Sequence, residues 1–84
     1  MTEPNIKPVA KLRQGRITAD IWRNDSEQGA RFSVTFTRSY RSKESGEWKT
    51  TNSYGRDDLL LLSKLADQAH SKISELRASL KDEQ

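Results

Sequence analysis

From Arg56 to its last residue the chain contains neither glycine nor proline, and its apolar residues recur at helical spacing. Leu59, Leu62, Ala66, Ala69, Ile73, Leu76 and Leu80 follow one another at intervals of three and four, a seam at heptad period. Leu61 and Leu65 widen the first half of that stripe. Just upstream, Asp57 or Asp58 can cap the free N–H groups of a first turn, and both carboxylates suit the positive end of the helix dipole. The spacing therefore predicts one long amphipathic helix from about Asp58 to Ser79, followed by a charged tail at residues 81–84.

Upstream the periodicity changes from helical to two. Ile17, Ala19 and Ile21 alternate with Arg16, Thr18, Asp20 and Trp22, as in a half-buried strand over 16–23. A second strand is expected over 30–41, with Phe32, Val34 and Phe36 on one face and Arg31, Ser33, Thr35, Thr37, Ser39 and Arg41 on the other. The segment 24–29 reads as a turn because its Asn, Asp and Gly tolerate unusual backbone angles. A five-residue loop over 42–46 then leads to a polar edge strand over about 47–54. In that phase Trp48 and Tyr54 face the apolar side with Tyr40, while Lys49, Thr51 and Ser53 join the polar face. Residues 1–13 carry Pro4 and Pro8 and no apolar periodicity, so they read as a flexible arm that orders near Leu12.

The expected fold class is α+β: a three-stranded antiparallel meander followed by one long C-terminal helix packed on one sheet face, within a single domain over 14–80. The core should pair Ile17, Ile21, Phe32, Val34 and Phe36 with Leu62, Leu65, Ala66 and Ala69. A helix of about 22 residues is about 33 Å long, whereas an eight-residue strand covers about 26 Å. The overhang predicts a homodimer through Ala69, Ile73, Leu76 and Leu80. Composition points the same way, because 84 residues without cysteine lack both a large core and disulfide staples.

The residues offer little to catalysis. His70 is the single histidine, the four glycines stand alone at element ends, and the hydroxyls have no base to activate them. A non-enzymatic protein is expected, with no cofactor, no metal and no small-molecule substrate. The longest apolar run is Leu59–Leu62, far short of the roughly 20 residues of a membrane span. With no export signal in Met1–Ala10, the expected location is the cytoplasm, away from membranes.

Charge is divided unevenly. Residues 1–56 hold eleven Lys/Arg against six Asp/Glu, a net +5, while residues 57–84 hold four against six, a net −2. A basic strand half suggests a polyanion partner. On the polar sheet face, guanidinium groups would neutralise phosphates, hydroxyls would donate to phosphate oxygens, and an indole such as Trp22 would stack on a base.

The run from Arg31 to Tyr40, the Gly46-Glu47-Trp48-Lys49 that follows, and the leucine-rich helix together resemble the positive-cofactor-four type of transcriptional coactivator. Single-stranded-DNA binders of the whirly kind share the order of strands followed by a helix. The resemblance covers roughly residues 16–76. It implies a curved sheet, dimerisation through the helix, and single-stranded nucleic acid laid across the strands, with Arg38, Tyr40, Trp48 and Lys49 as contacts. Thr50-Thr51-Asn52-Ser53 stands where that family has proline and further basic residues.

The resulting expectation is a single-stranded DNA- or RNA-binding homodimer, DNA ahead of RNA, serving transcription or replication. Its contacts are Arg16, Trp22, Arg31, Arg38, Tyr40, Arg41, Trp48 and Lys49. The rival expectation is a protein–protein adaptor that dimerises through its helix seam.

Overall fold

The computed structural model describes residues 7–82. Four strands precede one helix: β1 (Ala10–Gln14), β2 (Ile17–Ser26), β3 (Gly29–Arg41), β4 (Trp48–Thr51) and α1 (Arg56–Asp82). The sheet is an antiparallel meander in the order β1-β2-β3-β4. The α+β architecture with a single C-terminal helix is as expected, but the strand count is corrected from three to four. The added strand, β1, lies where the sequence suggests the end of a flexible arm; residues 1–6 of that arm are outside the described residues.

β1 joins β2 through the two-residue loop Gly15-Arg16, since Gln14 is opposite Ile17. Gly15 has φ +59°, the left-handed value required at the first position of a tight hairpin whose twist matches its strands. Its α-carbon faces the helix closely: a β-carbon there would stand 3.3 Å from Cδ1 of Leu61. The next hairpin is also tighter than expected. Ser26 is opposite Gly29, leaving only Glu27-Gln28 in the loop, where Ser26 Oγ donates to the Gly29 carbonyl at 3.0 Å. Asn24 and Asp25 are thus strand residues. The change leaves the side-chain faces of β2 and β3 as the alternation predicts.

The third hairpin does change a phase. Ser42 N–H donates to the Glu47 carbonyl at 2.8 Å, so the loop holds four residues, Lys43–Gly46, rather than five. A one-residue slip in register moves every following side chain to the other face. Trp48 consequently lies opposite Arg41 and Lys49 opposite Tyr40, the reverse of the expected phase.

α1 begins at a cap that differs from either expected form. Gly55 N–H donates to Asp58 Oδ2 at 2.9 Å, and Asp58 N–H donates to the Gly55 carbonyl at 3.0 Å. Asp58 is therefore the third helical residue reaching back to the cap, half of a capping box. The helix continues through Lys81 and Asp82, which the sequence assigns to a tail; Glu83 and Gln84 are outside the described residues.

α1 packs across β1 and β2, and the buried core is small: Ile17, Ala19, Ile21, Leu65 and Ala69. Leu12, Val34, Phe36, Tyr54, Leu61 and Leu62 pack around it, partly buried. The helix presents Leu61, Leu65, Ala69, Ile73, Leu76 and Leu80 inward, so the predicted seam is rotated at its start. Leu59 and Ala66, both expected in the seam, are exposed. Ala69 is buried against this chain's own sheet and is removed from the expected dimer interface.

The helix is longer than expected, 27 residues or about 40 Å, and so is β2, the strand it packs on, at ten residues or about 33 Å, while β3 runs on to about 43 Å. Ile73 and Arg77 border a cavity with Ala30 and Phe32 at the start of β3, and Ile73, Leu76 and Leu80 are half-buried. The result is a flat two-layer molecule of 51 × 31 × 15 Å. Its radius of gyration of 15.4 Å exceeds the roughly 12 Å of a compact chain this long.

Candidate nucleic-acid interface

The sheet face away from α1 is built by the strand registers. β1 contributes Lys11 and Arg13, and β2 contributes Thr18, Asp20, Trp22 and Asn24. β3 adds Arg31, Ser33, Thr35, Thr37, Ser39 and Arg41, and β4 adds Trp48 and Thr50. Arg16 continues this face at the β1–β2 loop, where its carbonyl accepts from Ser39 N–H at 2.9 Å.

Local bonds hold several of these side chains in place. Trp22 Nε1 donates to Thr35 Oγ1 at 2.9 Å, which orients the half-buried indole across β3. Arg13 Nε donates to the Gly15 carbonyl at 2.9 Å, Arg31 Nη2 to Gln28 Oε1 at 2.7 Å, and Arg41 Nε to the Gly46 carbonyl at 3.0 Å. A guanidinium carries five N–H donors, so each arginine is positioned by one bond and keeps others for a ligand. Trp48 is 68% exposed. Trp22 lies opposite Ser33 and Trp48 opposite Arg41, which sets the two indole rows about 26 Å apart along β3.

One carboxylate interrupts the cationic face. Asp20 lies opposite Lys11, whose Nζ is 3.6 Å from Oδ1, and that oxygen is buried without a hydrogen bond.

Three expected contacts lie on the helix side instead. Arg38 Nε donates to the Ser53 carbonyl at 2.9 Å and stands 3.5 Å from Asp58 Oδ2, while its guanidinium carbon sits 5.8 Å from the Tyr40 ring centre. Arg38 thus ties the β4–α1 connection to the helix cap. Burial raises the Tyr54 phenol above its ordinary value, opposed by the positive charge of Arg38, and the hydroxyl itself has no hydrogen-bond partner. Tyr40 and Lys49 share the helix-side phase, on the β3–β4 half of the sheet.

This sheet face accordingly unites Arg16, Trp22, Arg31, Arg41 and Trp48 of the expected contacts and separates Arg38, Tyr40 and Lys49 from them. Lys11 and Arg13 are additions that the sequence reading missed. The signal was present: Leu12 flanked by two cations, followed by a glycine suited to a two-residue turn.

His70 is exposed on α1, and among the described residues no group of three or more His, Cys, Asp or Glu could hold a metal ion. No described helix is long and apolar enough to cross a membrane. Comparison with protein-family models, with curated proteins and with solved structures finds no match.

Proposed function

We propose that the chain binds single-stranded nucleic acid on the sheet face away from α1. The observation that carries this reading is one face holding two indoles and the cations Lys11, Arg13, Arg31 and Arg41, with Arg16 at its end. Phosphates meet guanidinium donors, the hydroxyls between them donate to phosphate oxygens, and bases stack on Trp22 and Trp48. Such contacts follow the backbone and the base faces, so binding tolerates many sequences. Of the contacts implied by the resemblance to positive-cofactor-four proteins, Trp48 belongs to this face and Arg38, Tyr40 and Lys49 do not; the resemblance bears on the class of ligand, favouring DNA in transcription or replication.

Fluorescence anisotropy with a labelled oligonucleotide at low salt tests it. About four neutralised phosphates give a slope near −3 for log affinity against log salt. Arg31→Glu and Arg41→Glu weaken binding to every sequence, whereas Lys49→Glu on the other face leaves it nearly unchanged. Trp22→Ala costs about 1–3 kcal/mol of binding. Absence of binding at tens of micromolar protein ends the proposal.

Self-association belongs to this reading: half-buried Ile73, Leu76 and Leu80 extend a small core, and a second copy would cover them. One observation favours a protein–protein adaptor instead. Leu59 and Leu60 are both exposed on the first turns of α1, Leu60 by 83%. Substituting both with Ser leaves oligonucleotide binding intact under the first reading.

A further inference from the structure

We infer that the free edge of β1 is a docking site for an extended peptide strand that carries two carboxylates at alternate positions. The inference shares Lys11 and Arg13 with the proposed nucleic-acid face but rests on the strand edge rather than on that reading.

β1 has one strand neighbour, β2, and no described residue pairs with its other edge. Antiparallel pairing alternates bonded and non-bonded residue pairs, and the two-residue loop makes Gln14–Ile17 a bonded pair. Leu12–Ala19 and Ala10–Ile21 follow as bonded pairs. Lys11 and Arg13 therefore direct their backbone N–H and C=O groups away from the sheet, which is the template that strand addition requires.

The side chains around this edge select the partner. Lys11, which lies 3.6 Å from Asp20 Oδ1, and Arg13 stand on the outer face, so residues paired directly with them would set their side chains beside two cations. A second β1 is disfavoured, because the antiparallel registers centred on the strand set cation against cation: Lys11 on Arg13 about Leu12, or either residue on itself. Like charges directly opposite are destabilising, whereas opposite charges are favourable. Carboxylates at the two positions invert the repulsion, and the same pattern thus disfavours self-pairing and admits an acidic strand.

Between the two carboxylates, the partner's middle residue faces the helix side beside half-buried Leu12. There a groove of about 450 Å³ opens between β1 and α1, and its wall on α1 is Asp67, Gln68, Ser71, Lys72 and Glu75, so a third carboxylate at this middle position is disfavoured. The peptide chemistry is consequently two carboxylates flanking one small uncharged residue, in extended form.

The probe is a fluorescein-labelled peptide, Ser-Thr-Glu-Val-Glu-Thr-Ser, with two controls: the same sequence with lysines for glutamates, and one with the glutamates adjacent. Saturable binding of the alternating acidic peptide, at least tenfold tighter than either control, is expected. The double variant Lys11→Glu with Arg13→Glu reverses the preference toward the lysine peptide. Arg13→Pro removes an outward N–H that no described group uses; proline is tolerated on such an edge, so the fold persists by circular dichroism while affinity falls at least tenfold. Should that variant unfold, Lys11→Pro makes the same test at the other outward position. Equal affinity for the adjacent-glutamate peptide reduces the effect to charge attraction and overturns the proposal. Unchanged binding in a folded proline variant also overturns it, as does a dimer that the proline variant abolishes.

Discussion

Leu60 and Leu65 are chemically identical, five residues apart on α1, and differ in exposure from 83% to 0%. Truncating Leu65 to Ala removes about three carbons from a closed core, or about 2.4 kcal/mol at ~0.8 kcal/mol per methylene. Residual cavity adds to that, and measured costs for such changes run about 2–5 kcal/mol. A chain of 84 residues has about 4–13 kcal/mol in total, and five buried core residues place this one toward the lower end. Leu65→Ala should therefore remove most of the stability, whereas Leu60→Ala should stay within about 0.5 kcal/mol of the parent. Urea unfolding followed by circular dichroism and tryptophan fluorescence separates them: at a slope of about 1 kcal/mol per molar, the Leu65 midpoint falls by about 2–5 M. Similar losses in the two variants would refute the helix orientation, and with it the division into a covered and an open sheet face.

Further outcomes concern turns, titration and assembly. Gly15→Ala should cost about 1–2 kcal/mol, because φ +59° is strained for an L residue and the new methyl meets Leu61; a neutral result in urea unfolding would contradict the hairpin geometry. Burial raises the Tyr54 pKa above 10.0, so its folding contribution is intact below pH 10 and is lost as pH rises through the folded value. Tyr54→Phe should flatten that alkaline loss of stability. At neutral pH it should be neutral or stabilising, since the hydroxyl has no partner to lose. If a second copy covers the end of α1, sedimentation should show dimers at micromolar concentration that Ile73→Asp dissociates or unfolds; a stable wild-type monomer contradicts self-association.

Strong alternation made β2 and β3 legible, and leucine spacing did the same for the helix, because burial on one face imposes a period on the sequence. The buried alternation of Ile17, Ala19 and Ile21 is as expected. β1 escaped because only Leu12 marks its inner face, and an edge strand of cations resembles an arm. The β4 phase escaped because Trp48 suggests burial while Lys49 suggests solvent. The four-residue loop places Trp48 on the face away from α1 and Lys49 toward the helix side. Loop length, which decides that phase, leaves little trace in a polar segment such as Ser42–Gly46. Arg38 resembled a phosphate contact in sequence, and only the third dimension shows its guanidinium engaged by Ser53 and Asp58.

The central claim, that the face away from α1 receives a single strand, is tested most directly by titrating the ¹⁵N-labelled chain with a thymidine oligonucleotide at low salt. The account predicts progressive shifts of both indole N–H signals, Trp22 and Trp48, and of amides around Arg31, Thr35 and Arg41. Amides of α1 from Leu61 to Leu76 should stay in place. Shifts concentrated on α1, Tyr40 and Lys49 would contradict it, as would a spectrum that does not change at all.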